Sequence, residues 1–167
     1  MPDQHACDRT DILIREFASG DEVRLADVFY HAIHQTAAAD YSPEQLAVWA
    51  PVQSDPGRWA EKMRSIQPFV AEIGGMVVGY ADVQRNGYID HFYVSPQSGR
   101  RGVGTALMDQ IHQVALSNRA PQLFSSVSLT ARPFFEKFGF MIDAVQQVVV
   151  DGIALRNFRM SKSLTPT

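Results

Sequence analysis

The chain has little that would tie it to an oxidising compartment, a membrane or a polyanion. Cys7 is the only cysteine in 167 residues, so no intrachain disulfide can form and the fold must rest on core packing. No apolar run approaches the roughly 18 residues of a membrane span, and the opening MPDQHACDRTD has neither the basic start nor the apolar centre of a secretory signal. Positive charge is not in excess either. Fifteen Lys and Arg against eighteen Asp and Glu leave a net charge of −3, which offers no field to draw in duplex DNA. Together these absences predict a cytoplasmic protein with no nucleic-acid or membrane partner. Metal-ligand spacing is missing among the histidines and acids, so no metal is expected. Repeats, low-complexity tracts and linker-length loops are missing too. With 46% hydrophobic residues, this length predicts one core: a flexible tail over 1–10, a single domain over 11–164 and a short tail over 165–167.

Along the chain, DILIREF reads as a strand over Ile12 to Phe17. Ser19 and Glu22 have the spacing of a capping box, followed by Leu25, Val28, Phe29, Ala32 and Ile33 at helical period. Ser42, Pro43 and Gln45 form a second helix start, carrying Leu46 and Trp49 inward. Asp55-Pro56-Gly57 then precedes a helix with Trp59 and Met63 on one side. PFVAEI, MVVGYADV and YIDHFYV, separated by Gly74-Gly75 and Asn86-Gly87, predict an antiparallel meander of three strands. A long helix is expected from Val103, a strand at LFSSVSL, a helix at TARPFFEKF and a closing hairpin about Asp151-Gly152.

The stretch from Tyr88 to Leu107 runs from a strand through glycines into a helix start, a geometry that suits an anion. The first N–H groups of a helix have no intrahelical partner, and glycines let a diphosphate approach the backbone. Arg100 and Arg101 add charge there. No Gly-Lys-Ser/Thr ending is present, which excludes a Walker loop, and Leu107 stands where the third glycine of a dinucleotide fingerprint belongs. The diphosphate is therefore expected to be part of a coenzyme A.

FYVSPQSGRRGVGTAL resembles the signature of the GNAT (N-acetyltransferase) superfamily, in which a strand ending in valine leads through a proline loop into Gln/Arg-x-x-Gly-x-Gly/Ala. Val94, Pro96, Gly102, Gly104, Thr105, Ala106 and Leu107 match, while Gly99 takes the Gln/Arg position. A second family segment resembles SLTARPFFEKFGF through Ala131, Phe134, Gly139 and Phe140, with Ser128 for asparagine and Phe135 for tyrosine. YSPEQ, TARPFFEKFGF and the closing ALRNFRM resemble a small bacterial YafP-like branch. The resemblance implies an α+β fold with a mixed, largely antiparallel central sheet, helices on both faces and a split between two central strands. It also implies acetyl-CoA as cosubstrate, held by the Phe92, Tyr93 and Val94 backbone, by Arg100, Arg101, Gly102, Val103, Gly104 and Thr105 at the pyrophosphate, and by Ser128 and Phe135 across the cleft.

The implied activity is acetyl transfer to a primary amine of a small molecule or peptide by direct attack, which needs a base. Strand alternation places Tyr88, Asp90 and Phe92 on the face of Val94, with His91 and Tyr93 opposite. Because the family resemblance implies acidic or basic side chains on the Val94 face, Asp90 is the expected base, with His91 and Tyr88 behind it; a bulge is the feature that could reverse that order. His31, His34 and His112 read as surface residues, and Tyr30, Tyr41, Trp49 and Trp59 either wall an acceptor pocket or fill the core. Phe135 lacks the phenol that many relatives use as acid, so a catalytically weak acetyl-CoA sensor or a partner-binding module on the same fold is the alternative. A homodimer is the assembly held open.

Overall fold

The computed structural model describes residues 11–165, so the expected tail over 1–10 lies outside the described residues. Two four-stranded sheets form the centre, ordered β1-β2-β3-β5 and β4-β6-β8-β7. The first holds β1 (Ile12–Glu16), β2 (Phe69–Ile73), β3 (Met76–Ala81) and β5 (Phe92–Val94), all antiparallel. The second holds β4 (Tyr88–Ile89), β6 (Gln122–Ser128), β7 (Met141–Val150) and β8 (Ile153–Ser163).

Helices cover both faces. α1 (Glu22–His31) and α3 (Pro56–Ile66) place Leu25, Val28, Met63 and Ile66 against Val70 and Tyr80. Across the sheet, α4 (Val103–Ser117) lays Val103, Leu107 and Ile111 over Ala71, Ala81, Leu123 and Val127. Each such fully buried aliphatic side chain stabilises the fold by about 1.5–3 kcal/mol before entropy is counted. α2 (Pro43–Trp49) sets Leu46 with Leu155 of β8, and α5 (Arg132–Lys137) drives Phe135 into the α4 core.

Local chemistry explains most boundaries. Ser42 accepts from Gln45 N–H and Gln45 returns the bond to Ser42 N–H, the reciprocal cap expected there. Asp55 accepts from Gly57 and Arg58 N–H ahead of Pro56. Ser19, by contrast, does not cap α1. Glu22 instead accepts from Gly20 N–H, while Asp21 takes Ala18 N–H and both Nη groups of Arg15. Asp21, not Ser19, occupies the N-cap position, and its carboxylate is turned back onto Arg15 and Ala18 N–H instead of the first helical N–H groups. α1 continues through a π turn, Ala32–Thr36, into a short 3₁₀ turn, Ala37–Ala39.

The expected third strand of the meander breaks in two. Its second part, β5, pairs with β3 as predicted, but its first part, β4, joins the other sheet and runs parallel to β6. Gly87, at φ 93°, enables this: a Cβ there would lie 1.8 Å from the carbonyl oxygen of Gln122. Only glycine lets the two backbones touch.

Candidate active site

The site is built where the two sheets part. β4 follows β6 through Tyr88↔Phe124 and Ile89↔Ser125, and Ser125 Oγ donates to Ile89 O at 2.7 Å, closing the vertex. Beyond it β5 pairs only with β3 and β6 only with β8, which leaves their facing edges with unpaired backbone groups. This is the split between two central strands that the family resemblance implies, and it lies between β5 and β6. A cavity of about 460 Å³ opens there, bounded by Phe92, Tyr93 and Val94 on one side and by Ser128, Ala131 and Phe135 on the other.

The loop after β5 carries the cavity to the start of α4. Arg100, Gly102, Val103, Gly104 and Thr105 line it, and exposed Arg101 stands beside them without being part of the lining. Arg100 and Gly102 both hold left-handed backbone, φ 65° and 87°. For a non-glycine residue that conformation costs roughly 1–2 kcal/mol, a strain typical of ligand-gripping turns. Ala106 N–H makes the bond to Gly102 O that opens the helical ladder, so the preceding N–H groups at the start of α4 have no intrahelical partner. Lys137 and Gly99 also line the cavity. Neither was among the sequence candidates, and Lys137 has no motif that would have marked it.

Gly104 has a different neighbour from the one expected. Its Cβ would meet Cε2 and Cζ of Phe134 at 3.1 Å, so the missing side chain serves the packing of α5 onto α4 as well as the approach of a ligand. Ser128 Oγ accepts from Ala131 N–H at 3.0 Å, fixing the turn into α5. Phe135 is buried among Phe92, Phe134 and Phe140. Of the aromatic candidates for an acceptor wall only Trp49 lines the cavity, beside Ile33 and Ala37. Tyr41 is core, its hydroxyl donating to Arg156 O and accepting from Leu129 N–H. Trp59 donates to Glu22 O and packs on Phe29. Tyr30 stacks on His34.

Alternation on the strand gives the wrong faces. Asp82 N–H donates to His91 O and Gln84 N–H donates to Tyr88 O. Between these bonds the chain advances two residues on one strand and three on the other, which is a β-bulge at Ile89 to His91. The extra residue breaks the period. Phe92 and Val94 pack toward α4, whereas Asp90 joins His91 on the side of α1 and α3. Asp90 does not share the face of Val94, and none of Tyr88, Asp90 or His91 lines the cavity.

Each of the three has a partner. Asp90 Oδ2 lies 2.5 Å from Nζ of Lys62, whose pKa is raised first by this bond. Tyr88 stacks on Phe124, and burial raises its phenol. His91 sits among the rings of Phe29, Trp59, Tyr80 and Tyr93, with Nδ1 3.0 Å from the Tyr80 hydroxyl. Burial lowers its pKa to about 4, so the ring is neutral near pH 7. Two other histidines expected at the surface are half-buried and bonded: His34 to Ala50 O, and His112 to Met108 O and Lys162. His31 is exposed as expected.

Asp82 was not foreseen as a site residue. It is 0% exposed, and its carboxylate accepts from His91 N–H at 2.6 Å, Asp90 N–H at 3.0 Å and Gln84 Nε2 at 2.6 Å. Its signal in the sequence was an acid closing an apolar strand, MVVGYAD. Among the described residues, Oδ1 of Asn157, on the strand position opposite Ser128, is a buried side-chain acceptor without a hydrogen-bond partner.

Comparison with known proteins agrees with this architecture. The acetyltransferase (GNAT) domain matches residues 37–163. The uncharacterized N-acetyltransferase YafP of Escherichia coli (strain K12) is 37% identical over 150 residues, 90% of this chain and 95% of that protein. The crystal structure of a GCN5-related N-acetyltransferase from Rhodopseudomonas palustris superposes with a TM-score of 0.87 at 32% identity, covering 91% of this chain and 95% of that one. The PaiA N-acetyltransferase of Thermoplasma acidophilum, solved with coenzyme A, shares the fold at a TM-score of 0.71 and 16% identity, over 91% of this chain and 98% of that one. The chain belongs to the GNAT family of acetyltransferases.

Proposed function

We infer that the protein transfers the acetyl group of acetyl-CoA to a primary amine of a small molecule or peptide by direct attack. The observation that carries this reading is the split between β5 and β6, opening onto the unpaired N-terminal end of α4. The residues present fit acetyl-CoA. Arg100, Lys137 and the α4 N–H groups suit the phosphates, and the free edges of β5 and β6 suit an extended amide-bearing arm that pairs as a strand does. The coenzyme A in the PaiA structure supports the same assignment.

In the reaction the amine nitrogen forms a bond to the acetyl carbon, the carbon–sulfur bond breaks, the amine gives up a proton and the thiolate gains one. The β5 backbone offers N–H groups beside the cavity that suit a developing oxyanion. Asp90 is the proposed base. The bulge turns it to the side of α1 and α3, outside the cavity lining and onto Lys62, so it would act on an acceptor through water. Neutral His91 and the Tyr88 phenol stand second. Phe135 offers no proton, so the thiolate takes one from water or from a hydroxyl on the wall such as Ser128.

A second reading has its own support. Gly99 and Phe135 remove two polar groups from the family pattern, and Asp90 is engaged by Lys62, which favours an acetyl-CoA sensor with weak catalysis. Release of thiol from acetyl-CoA across a panel of primary amines decides between the two: acceptor-dependent release supports the enzyme, and tight binding without release supports the sensor. The proposed assembly is a homodimer through β7, a sheet edge that leaves Met141, Val145 and Val149 at 73%, 63% and 65% exposure. Sedimentation showing a monomer at all concentrations would remove it.

A further inference from the structure

The bulge that separates Asp90 from the face of Val94 needs a cause, because it leaves two consecutive N–H groups without a ladder partner. Those of Asp90 and His91 point at a point on β3 where the sheet has already ended, at Ala81↔Phe92. Asp82 is the next residue. Its Oδ1 receives both N–H groups, at 3.0 and 2.6 Å, while its own N–H donates to His91 O. Oδ2 is tied by Gln84 Nε2 at 2.6 Å, and the same amide nitrogen donates to Ile66 O at the end of α3. The carboxylate is thus anchored to the helix layer on one side and clasps the peptide of His91 on the other.

An alternative register without the bulge would pair Gln84 with Ile89 and return Asp90 to the α4 side. It would also leave a buried carboxylate facing too few donors, which is costly. We propose that Asp82 is a positioning residue: its buried carboxylate selects the bulge, and so turns Asp90 from the face of Val94 to the side of α1 and α3, beside Lys62 and His91. This rests on the acetyltransferase reading for its catalytic consequence, but its structural content does not.

The test compares Asp82→Ala with Asp82→Asn in the full chain. Asparagine keeps an oxygen for the two N–H groups and gives up only the Gln84 bond, since the Gln84 amide nitrogen stays on Ile66 O; alanine keeps nothing. Backbone amide proton shifts of Asp90 and His91 are read by NMR, acetyl-CoA affinity by calorimetry, and thiol release with a panel amine by a thiol reagent. Short bonds to a carboxylate move these two amide protons downfield. Asp82→Ala is expected to return both upfield, to leave acetyl-CoA affinity within about threefold, and to lower thiol release by about a hundredfold, the scale of a misplaced catalytic group. Asp82→Asn is expected to recover most of the release and both shifts.

Unmoved amide shifts in Asp82→Ala would overturn the proposal, as would an asparagine variant as impaired as the alanine one. Parallel loss of affinity and rate with unaltered shifts would mark Asp82 as a fold residue only. Should Asp82→Ala fail to fold, Gln84→Met serves instead. It keeps the two N–H bonds and cuts the tether to α3, and it must shift the Asp90 and His91 amides for the proposal to stand. Absence of thiol release in the wild type would refute the acetyltransferase reading, while the amide shifts would still decide the role of Asp82.

Discussion

Replacing Asp82 by asparagine should change how stability depends on pH. Burial is the largest influence on this carboxyl and pushes its pKa from 3.8 to about 6, against the pull of the His91 and Asp90 N–H groups and the Gln84 amide. An acid with a folded pKa above its unfolded value binds its proton more tightly when folded. Its contribution is therefore whole below about pH 4 and is lost as pH rises through about 6. A rise of about two units corresponds to about 3 kcal/mol across that window. The charged and titratable groups around it are Asp90, Tyr88, His91 and Lys62, and of these His91 works in the opposite sense. Burial lowers its pKa from 6.5 to about 4, so its contribution is present above 6.5 and is lost as pH falls toward 4. In the wild type the two slopes oppose each other. Urea unfolding of both proteins at intervals between about pH 4 and pH 7 isolates the aspartate. The stability of wild type minus that of Asp82→Asn should fall by up to about 3 kcal/mol over that range, and the variant alone should weaken as pH drops. A difference that stays constant with pH would refute the buried, desolvated carboxylate.

Three further outcomes follow from the site. Arg100→Glu with Arg101→Glu places carboxylates beside the proposed pyrophosphate; calorimetry should show acetyl-CoA affinity reduced by about tenfold or more with the unfolding temperature little changed, and equal affinity would displace the diphosphate from this turn. Gly104→Val forces a branched side chain against Phe134, so both stability and affinity should drop; loss of affinity without loss of stability would show that ligand approach, and not the α4–α5 contact, requires the glycine. Asp90→Asn should preserve acetyl-CoA affinity and lower turnover by roughly a hundredfold to ten-thousandfold, and full turnover on a competent acceptor would transfer the base role to His91 or Tyr88.

The cleft proposed for the coenzyme was legible in the sequence because its parts are local. The helix start, the glycines and the arginines between Val94 and Leu107 are contiguous, and contiguous residues keep their spacing on folding. Ser42, Pro43 and Gln45 were readable for the same reason. The facing of Asp90 was misread because it depends on a bulge, whose bonds come from a residue at the end of a different strand. Nothing within YIDHFYV says that period two fails at Asp90; the cause is Asp82, whose bonds reach across the sheet. Lys62 likewise comes from α3, a helix whose docking no spacing encodes. The Ser19 cap failed because the helix starts at Glu22 with Asp21 at its N-cap position, where Arg15, six residues earlier, holds the carboxylate.

If the cleft between β5 and β6 serves acetyl transfer to an amine, mass spectrometry of primary amines incubated with the protein and acetyl-CoA should find an acceptor that gains the mass of one acetyl group, in proportion to the thiol released and with both reduced in Asp90→Asn. Acetyl-CoA that binds but stays intact beside every amine and peptide offered would contradict it.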